Sequence, residues 1–191
     1  MPAIILRAAC LVLLCCLGAR AQDAKTNSRD MNAGIVYGKD HAFAIKAPDG
    51  WVLDNQSGVR HGLHAVFYPE GSSWKESKAV MYVNGAGKSA DDTLEKFIER
   101  DVAGYLKHSP GLKVLDDEAL PVDGKERVLV KRFSGDRAGA FEAVAFVDES
   151  KVVVTIVLHA RTLKDFDDAW PAFRKLVSSY HFLSDKVVTE K

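Results

Sequence analysis

Cysteine is nearly absent from this chain of 191 residues, and all three copies fall in one short N-terminal stretch. They are Cys10, Cys15 and Cys16. Beyond them the chain cannot form a disulfide bond, a thiolate metal site or a nucleophilic cysteine. Long apolar runs are equally scarce, because no later stretch approaches the roughly 20 residues that span a bilayer as a helix.

An excess of charge of one sign is also lacking. The chain has 26 basic and 26 acidic residues, and the two kinds are interspersed. No basic block of the kind that binds nucleic acid or anionic lipid occurs, so we expect no nucleic-acid partner. The length suits a single domain that can bury a core without cross-links.

The first 21 residues have the form of a secretory signal peptide. Arg7 supplies a positive start, residues 8–17 are apolar, and Ala19-Arg20-Ala21 has the small-x-small pattern of a cleavage site. The apolar run is too short for a membrane span. The sequence therefore predicts an exported protein, periplasmic or extracellular, that begins at Gln22 after cleavage near Ala21.

Lipidation of a leader cysteine is the alternative for this N-terminus. A lipoprotein signal needs a small residue directly before the modified cysteine, but Leu14 precedes Cys15 and Cys15 precedes Cys16. This favours a soluble mature protein over a lipid-anchored one.

The remaining chain divides into a flexible segment over residues 22–40, one domain over residues 41–183, and a tail over residues 184–191. Within the domain, short apolar or alternating runs between turn signals predict strands. These runs cover residues 43–45, 51–53, 64–68, 79–84, 113–122, 127–133, 140–147 and 151–160. The last run is apolar on both alternating faces, which predicts a central strand with both faces covered.

Two amphipathic helices are predicted from apolar residues at spacings of three and four. Ser89 is the expected N-cap of the first helix, and Pro110-Gly111 ends it. Thr162 caps the second helix, and Pro171 is expected to restart or kink it. Since the strand connections are too short for parallel crossovers, the expected fold class is α+β. It is a mostly antiparallel sheet covered by helices on both faces, an α/β/α sandwich.

The order of these elements resembles the PsbP-like superfamily, which includes DcrB-type exported proteins. The resemblance rests on Phe43-Ala44-Ile45 before Pro48-Asp49-Gly50-Trp51, on Thr93-Leu94-Glu95, on Leu120-Pro121-Val122-Asp123-Gly124 and on the closing stretch 166–182. It covers about residues 41–183. The resemblance implies a binding or accessory role, and none of the functional residues of PsbP itself finds a match here.

The segment Asn84-Gly85-Ala86-Gly87-Lys88-Ser89 imitates a phosphate-binding loop. A true loop needs a glycine five residues before Gly87, and that position is Tyr82. We therefore interpret the segment as a glycine-rich turn before the first helix.

Ser72-Ser73-Trp74-Lys75 has the Ser-x-x-Lys spacing that lets an amine activate a serine. The partner motifs Ser-Asp-Asn and Lys-Thr-Gly of that enzyme class are absent. A small envelope hydrolase that uses Ser72 or Ser73 with Lys75 therefore remains an alternative to a binding protein, and we assign no catalytic residue.

His61, His64 and Trp74 are the candidate binding residues. Two imidazoles can share a zinc or copper ion if a third ligand joins them, but residues three apart on a strand point to opposite faces. A weak metal-binding protein is thus a further alternative, without a metal ligand or cofactor assigned. Trp74, in a polar loop, could contact a ligand.

The sequence as a whole predicts an exported, non-enzymatic binding or accessory domain of the cell envelope. Its partner would be another envelope protein or a small ligand.

Overall fold

The structure is a computed structural model that describes residues 32–89, 91–122 and 124–187. The predicted signal peptide and most of the segment predicted to be flexible lie outside these residues. Eleven strands and two α-helices are described: β1 Ala33–Gly38, β2 His41–Lys46, β3 Trp51–Asp54, β4 Ala65–Pro69, β5 Ala79–Gly87, α1 Leu94–His108, β6 Lys113–Asp116, β7 Leu120–Val122, β8 Lys125–Ser134, β9 Phe141–Asp148, β10 Val152–Ala160, α2 Leu163–Ser178 and β11 His181–Ser184.

The larger of two sheets has the strand order β3-β4-β5-β10-β9-β8-β6, with β7 also paired to β8. Every pairing in it is antiparallel. Strand β10 lies in the middle, as its apolar character on both faces predicts, and seven of its nine residues are buried. These strands and the two helices confirm the α+β class and the mostly antiparallel pairing.

A smaller sheet of order β1-β2-β11 accounts for two differences from the sequence-based prediction. Residues 33–38, which the sequence analysis places in the flexible segment, form β1 and pair with β2 from Ala33↔Lys46 to Gly38↔His41. The predicted strand at residues 43–45 belongs to this separate sheet and not to the large one. Local alternation predicts a strand but does not say which sheet it joins.

The two faces of the large sheet are packed by different elements. Alternate residues of β10 belong to two apolar clusters: Val153 and Val157 pack with Phe97 and Ile98 of α1, while the even-numbered residues pack with α2. The α2 cluster also contains Phe43 of the small sheet. One face is therefore shared between a helix and a sheet, and is not covered by helix alone.

The start of α1 and the course of α2 differ from the sequence-based prediction. The N-cap of α1 is Thr93, whose side chain accepts a hydrogen bond from the backbone N–H of Lys96, and Ser89 is not the cap. Thr162 caps α2 as predicted, accepting from the N–H of Asp165. Pro171 lies inside one continuous helix and does not restart it. The buried face of α2 runs past the proline, so tertiary packing outweighs its missing N–H.

The predicted strand over residues 113–122 is two strands. Strand β6 pairs with the C-terminal half of β8 and β7 with its N-terminal half, so both lie on the same edge of that strand. No helix within the described ranges has the length and apolar character needed to cross a membrane.

Candidate functional site

A cleft of about 800 Å³ opens between the two sheets. We call it the inter-sheet cleft. Its walls are the β1–β2 turn, the C-terminal end of β5 with the residues that follow, and the β9–β10 turn. The lining residues are Gly38, Lys39, Asp40, His41, His64, Gly85, Gly87, Lys88, Ser89, Asp92, Ser150, Lys151 and Val152.

The glycine-rich segment that imitates a phosphate-binding loop forms one wall of this cleft, but as a strand. Gly85, Ala86 and Gly87 are the last three residues of β5, and they pair with Val154, Val153 and Val152 of β10. A phosphate-binding loop wraps its ligand with backbone N–H groups that no strand partner uses. The strand pairing therefore excludes that type of nucleotide site, and the interpretation as a turn is also corrected, since residues 85–87 are extended.

His41 is the central residue of the cleft and is only 7% exposed. Its ring occupies space that two glycines leave open. A Cβ at Gly38 would lie 2.7 Å from the ring Cε1, and one at Gly85 would lie 2.9 Å from it. Because these glycines come from different sheets, the imidazole fills the junction between them. The ring also stacks on Phe43 with 6.0 Å between centroids.

The hydrogen bond of His41 defines its tautomer. Nδ1 lies 3.1 Å from the carbonyl oxygen of Lys39. A carbonyl oxygen only accepts, so Nδ1 donates, and Nε2 of the neutral ring is an acceptor. Nε2 makes no hydrogen bond to the described residues, yet these contain no buried side-chain nitrogen or oxygen without a partner. Nε2 is therefore not completely buried, and it lies beside Gly85 and Gly38, where an added Cβ would be 2.9 Å and 3.1 Å from it.

The charged residues of the cleft differ in how far they are neutralised. Lys88 Nζ lies 2.5 Å from an Asp148 carboxylate oxygen and donates to the carbonyl of Glu149 at 3.1 Å. Asp92 accepts two hydrogen bonds from Arg100, each 3.0 Å, and one from the backbone N–H of Ser89. These hydrogen bonds, chiefly those from Arg100, lower the pKa of Asp92 to about 2.

The β1–β2 turn that carries the cleft residues is backbone-strained at one position. Asp40 has φ +66°, and it is the single non-glycine residue with positive φ in the described ranges. Aspartate tolerates this left-handed conformation better than most residues, because its short polar side chain can hydrogen-bond locally. The turn presents Lys39 and His41 to the cleft on either side of Asp40.

The Ser-x-x-Lys residues lie outside the cleft, in the loop between β4 and β5. Ser72 Oγ is 2.8 Å from Ser77 Oγ, and Ser73 Oγ is 3.4 Å from a Glu76 carboxylate oxygen. In the part of the chain that the structure describes, no hydrogen bond joins Lys75 Nζ to either hydroxyl. Activation of Ser72 or Ser73 by Lys75 has no geometric support in this arrangement.

His61 and His64 are both exposed, but they lie in different parts of the surface. His61 ends a short 3-10 helix at Val59–His61 and is exposed, whereas His64 lines the inter-sheet cleft. Residues 32–89, 91–122 and 124–187 hold no group of three histidine, aspartate or glutamate side chains placed to share a metal ion. The third ligand that the metal hypothesis needs is not supplied there.

Trp74 packs against the sheet and does not stand free in its loop. Its ring meets Tyr82 edge to face at 6.1 Å, and the residue is half-buried. Trp51 is buried in the α2 core. Trp170 packs against that same core, and the guanidinium of Arg132 lies over its ring, 4.1 Å from the centroid.

A second polar region lies on the α1 face of the large sheet. His159 Nδ1 is 2.8 Å from a Glu142 carboxylate oxygen, and this hydrogen bond raises the pKa of His159. Burial, followed by the negative charges of Glu142 and Asp101, raises the pKa of Tyr105 to about 12. Asp101, Tyr105 and Glu142 border a pocket of about 450 Å³.

Comparisons with known proteins place the fold. No protein-family model and no curated protein sequence matches the chain. The solution structure of cyanobacterial PsbP (CyanoP) from Synechocystis sp. PCC 6803 is similar over 80% of this chain and 94% of that one, with 17% identity and a TM-score of 0.51. The fold is PsbP-like. The crystal structure of LpqN, described as involved in cell envelope biogenesis of Mycobacterium tuberculosis, agrees. It covers 78% of this chain and 90% of its own, with 15% identity and a TM-score of 0.53.

This similarity confirms the resemblance to the PsbP-like superfamily at the level of the fold, because the identities are too low to carry function. The cleft residues around His41 are the ones that sequence reasoning missed. Only His64 and the segment 84–89 of the cleft drew attention as candidates. The available signal was a pair of glycines, Gly38 and Gly85, at strand positions where a side chain would be usual.

Proposed function

We propose that this protein is an exported, non-enzymatic accessory domain of the cell envelope that binds another envelope component in the inter-sheet cleft. The leader of residues 1–21 supports export. The PsbP-like fold supports the accessory role, because one structural neighbour, LpqN, is described as involved in cell envelope biogenesis. The absence of a serine–lysine hydrogen bond in the 72–75 loop removes one argument for catalysis.

His41 is the observation that carries this proposal. His41 is 7% exposed and lines the cleft, its Nδ1 is fixed by a backbone carbonyl, and its Nε2 makes no hydrogen bond to the described residues. Gly38 in one sheet and Gly85 in the other have no side chain, and the ring occupies the space that a side chain would need. Fixing one ring nitrogen so that the other faces a cavity is how proteins present imidazole to a ligand.

Site-specific photo-crosslinking in the native cells tests the location of the binding site. A photoreactive amino acid is placed at His64 or Ser150, both exposed residues of the cleft, and at Leu163, which is 54% exposed at the start of α2. We expect a discrete mass increase, from a protein or a small molecule, at the two cleft positions and not at the control. Equal products at all three positions, or a product at Leu163 alone, would contradict the proposal.

Export and the absence of turnover are tested separately. Fractionation followed by N-terminal sequencing is expected to find the protein outside the cytoplasm and beginning at Gln22. The purified mature protein is expected not to hydrolyse generic ester, peptide or glycan substrates. Turnover that is lost on changing Ser72, Ser73 or Lys75 to alanine would instead support the hydrolase alternative.

A further inference from the structure

The chemistry of the cleft indicates what it binds. Building on the proposed function, we propose that the inter-sheet cleft takes an anionic oxygen group, a carboxylate or a phosphate, which Lys39, Lys151 and His41 hold together. Some charges of the cleft are neutralised within the protein, and others remain available to a ligand.

Two of the charged side chains are fully occupied within the protein. Lys88 has a short ion pair with Asp148, and its side chain is only 12% exposed. Asp92 is held by the bidentate guanidinium of Arg100. Bidentate and short charge-assisted hydrogen bonds are the strongest of their kind, so neither group is available without breaking its partner's contact. They shape the wall but do not select the ligand.

The remaining charges of the lining are two lysines, Lys39 and Lys151, and one carboxylate, Asp40, an excess of one cation. Lys39 is exposed, and its ammonium makes no hydrogen bond or ion pair to the described residues. Lys151 Nζ lies 3.7 Å from Asp40 and 3.8 Å from Asp185, and it donates to the carbonyl of Asp185 at 3.1 Å. Charge-assisted N–H···O bonds are usually about 2.7–2.9 Å, so both carboxylates are distant partners. An oxyanion entering the cleft can reach the ammonium more closely than either of them.

His41 adds a directional contact to these two point charges. With Nδ1 donating to Lys39, Nε2 accepts from a protonated ligand oxygen, or donates to a deprotonated one once the ring itself is protonated. The same turn residue, Lys39, supplies both the carbonyl that orients the ring and a free ammonium beside it. Asp40 stands between Lys39 and His41 on the turn, and its carboxylate lies 3.7 Å from Lys151 Nζ. The ammonium groups of Lys39 and Lys151 therefore favour an oxyanion over a further cation.

Nuclear magnetic resonance titrations of the mature protein test this inference, with inorganic phosphate, acetate and the diamine putrescine as probes. We expect phosphate or acetate to shift the amide signals of residues 38–41, 85–89 and 150–152, and putrescine to leave them unchanged. Lys39→Glu and His41→Asn should each weaken anion binding about tenfold, since each removes one charge-assisted or directional hydrogen bond. Asn is chosen because its amide N–H can replace Nδ1 while Nε2 is lost.

Lys113→Glu is the matched control, because Lys113 is an exposed lysine on the distant edge strand β6. It changes the net charge by the same amount and should leave anion affinity within about twofold, as screening weakens remote charges. If Lys113→Glu weakens binding as much as Lys39→Glu, or if putrescine shifts the same signals, the inference is wrong.

Sedimentation with vesicles distinguishes the sources of the anion. Binding to phosphatidylglycerol vesicles that Lys39→Glu abolishes identifies a lipid headgroup, whereas shifts with free phosphate or acetate and no vesicle binding identify a small soluble anion. Either result supports the inference. If crosslinks form in the cleft while no anion perturbs it, this inference fails and the proposed binding role stands. If the cleft neither crosslinks nor responds to anions, both fail.

Discussion

His41 shapes the inter-sheet cleft at the scale of single residues, because two glycines leave the space that its ring fills. An added methyl group at Gly38 or Gly85 would lie within 3 Å of a ring carbon. Gly87, two residues further along the same strand, has nothing within 4 Å of where its Cβ would be. The chain therefore contains its own control for the packing of this imidazole.

Gly85→Ala should lower the free energy of unfolding by about 1–3 kcal/mol, because the buried ring must leave its position. Gly87→Ala, on the same strand with open space, should be neutral or slightly stabilising. Denaturant titration of both variants measures the difference. In a His41→Ala background the cost of Gly85→Ala should largely disappear, and an unchanged cost would show that the ring is not what the methyl group meets.

The titration of Tyr180 links the stability of the fold to pH. It is 1% exposed, and its hydroxyl donates to Glu149 at 2.8 Å. Burial, together with this hydrogen bond, raises the pKa of Tyr180 above its usual range. The unfolded chain loses the phenolic proton near pH 10 while the folded protein retains it. The stabilisation is therefore complete below about pH 10 and declines as the pH rises further.

Unfolding measured from pH 8 to 12 should show stability falling above about pH 10, with each such tyrosine adding about 1.4 kcal/mol per pH unit to the slope. Tyr180→Phe should be about 1–3 kcal/mol less stable at pH 8, because a buried hydrogen bond is lost, and should have a shallower alkaline slope. Tyr37→Phe, at a position 57% exposed, should leave the slope unchanged. An identical slope in Tyr180→Phe would contradict the assignment.

The N-terminus of α1 shows, at the scale of elements, how similar sequence signals compete. Ser89 and Thr93 are both residue types that commonly cap helices. Asp92 lies three residues after Ser89, and Lys96 lies three residues after Thr93. In the structure Asp92 accepts from the N–H of Ser89, and the hydroxyl of Thr93 accepts from the N–H of Lys96. The backbone N–H of Lys88 still bonds to the carbonyl of Lys151 at the end of the sheet, and that of Asp92 bonds to the carbonyl of Ser89 in a turn. The helix therefore begins only at the second signal, at Leu94.

Thr93→Ala should therefore cost about 0.5–2 kcal/mol, the usual loss for an N-cap. Ser89→Ala should change stability by no more than about 0.5 kcal/mol, since the contact of Ser89 is made by its backbone. Thermal unfolding of the two variants compares them directly. A larger loss for Ser89→Ala would return the cap to the position that the sequence predicts.

The two sheets share one core at the scale of the whole molecule. Phe43 of the small sheet is fully buried and packs on Tyr180 with 5.1 Å between ring centroids. Tyr180 follows α2 directly, and α2 packs on the large sheet through Phe173 and Leu176. The small sheet is thus joined to the large one through the α2 core.

Phe43→Ala should destabilise the whole domain by about 3–5 kcal/mol, because it removes a large side chain from a shared core. Unfolding should remain a single transition, with tryptophan fluorescence and far-ultraviolet circular dichroism giving the same midpoint. Separate midpoints for the two signals would show that the small sheet unfolds independently.

The sequence by itself determined the elements whose period is local. The two-sided apolar run of β10 identified the central strand, and spacings of three and four identified both helices. The turn signals between the predicted strands were enough to predict the α+β class and the resemblance to PsbP-like proteins. These properties follow from side-chain patterns within about 15 residues, the range over which helix and strand periods act.

Only the tertiary structure decided which elements meet. The division into two sheets and the strand pairing of the glycine-rich segment depend on contacts between distant parts of the chain. The cleft likewise brings together Gly38, His41, Gly85 and Lys151. A glycine records the absence of a side chain but not the identity of the group that fills the space. His41 was therefore unremarkable in the sequence and central in the fold.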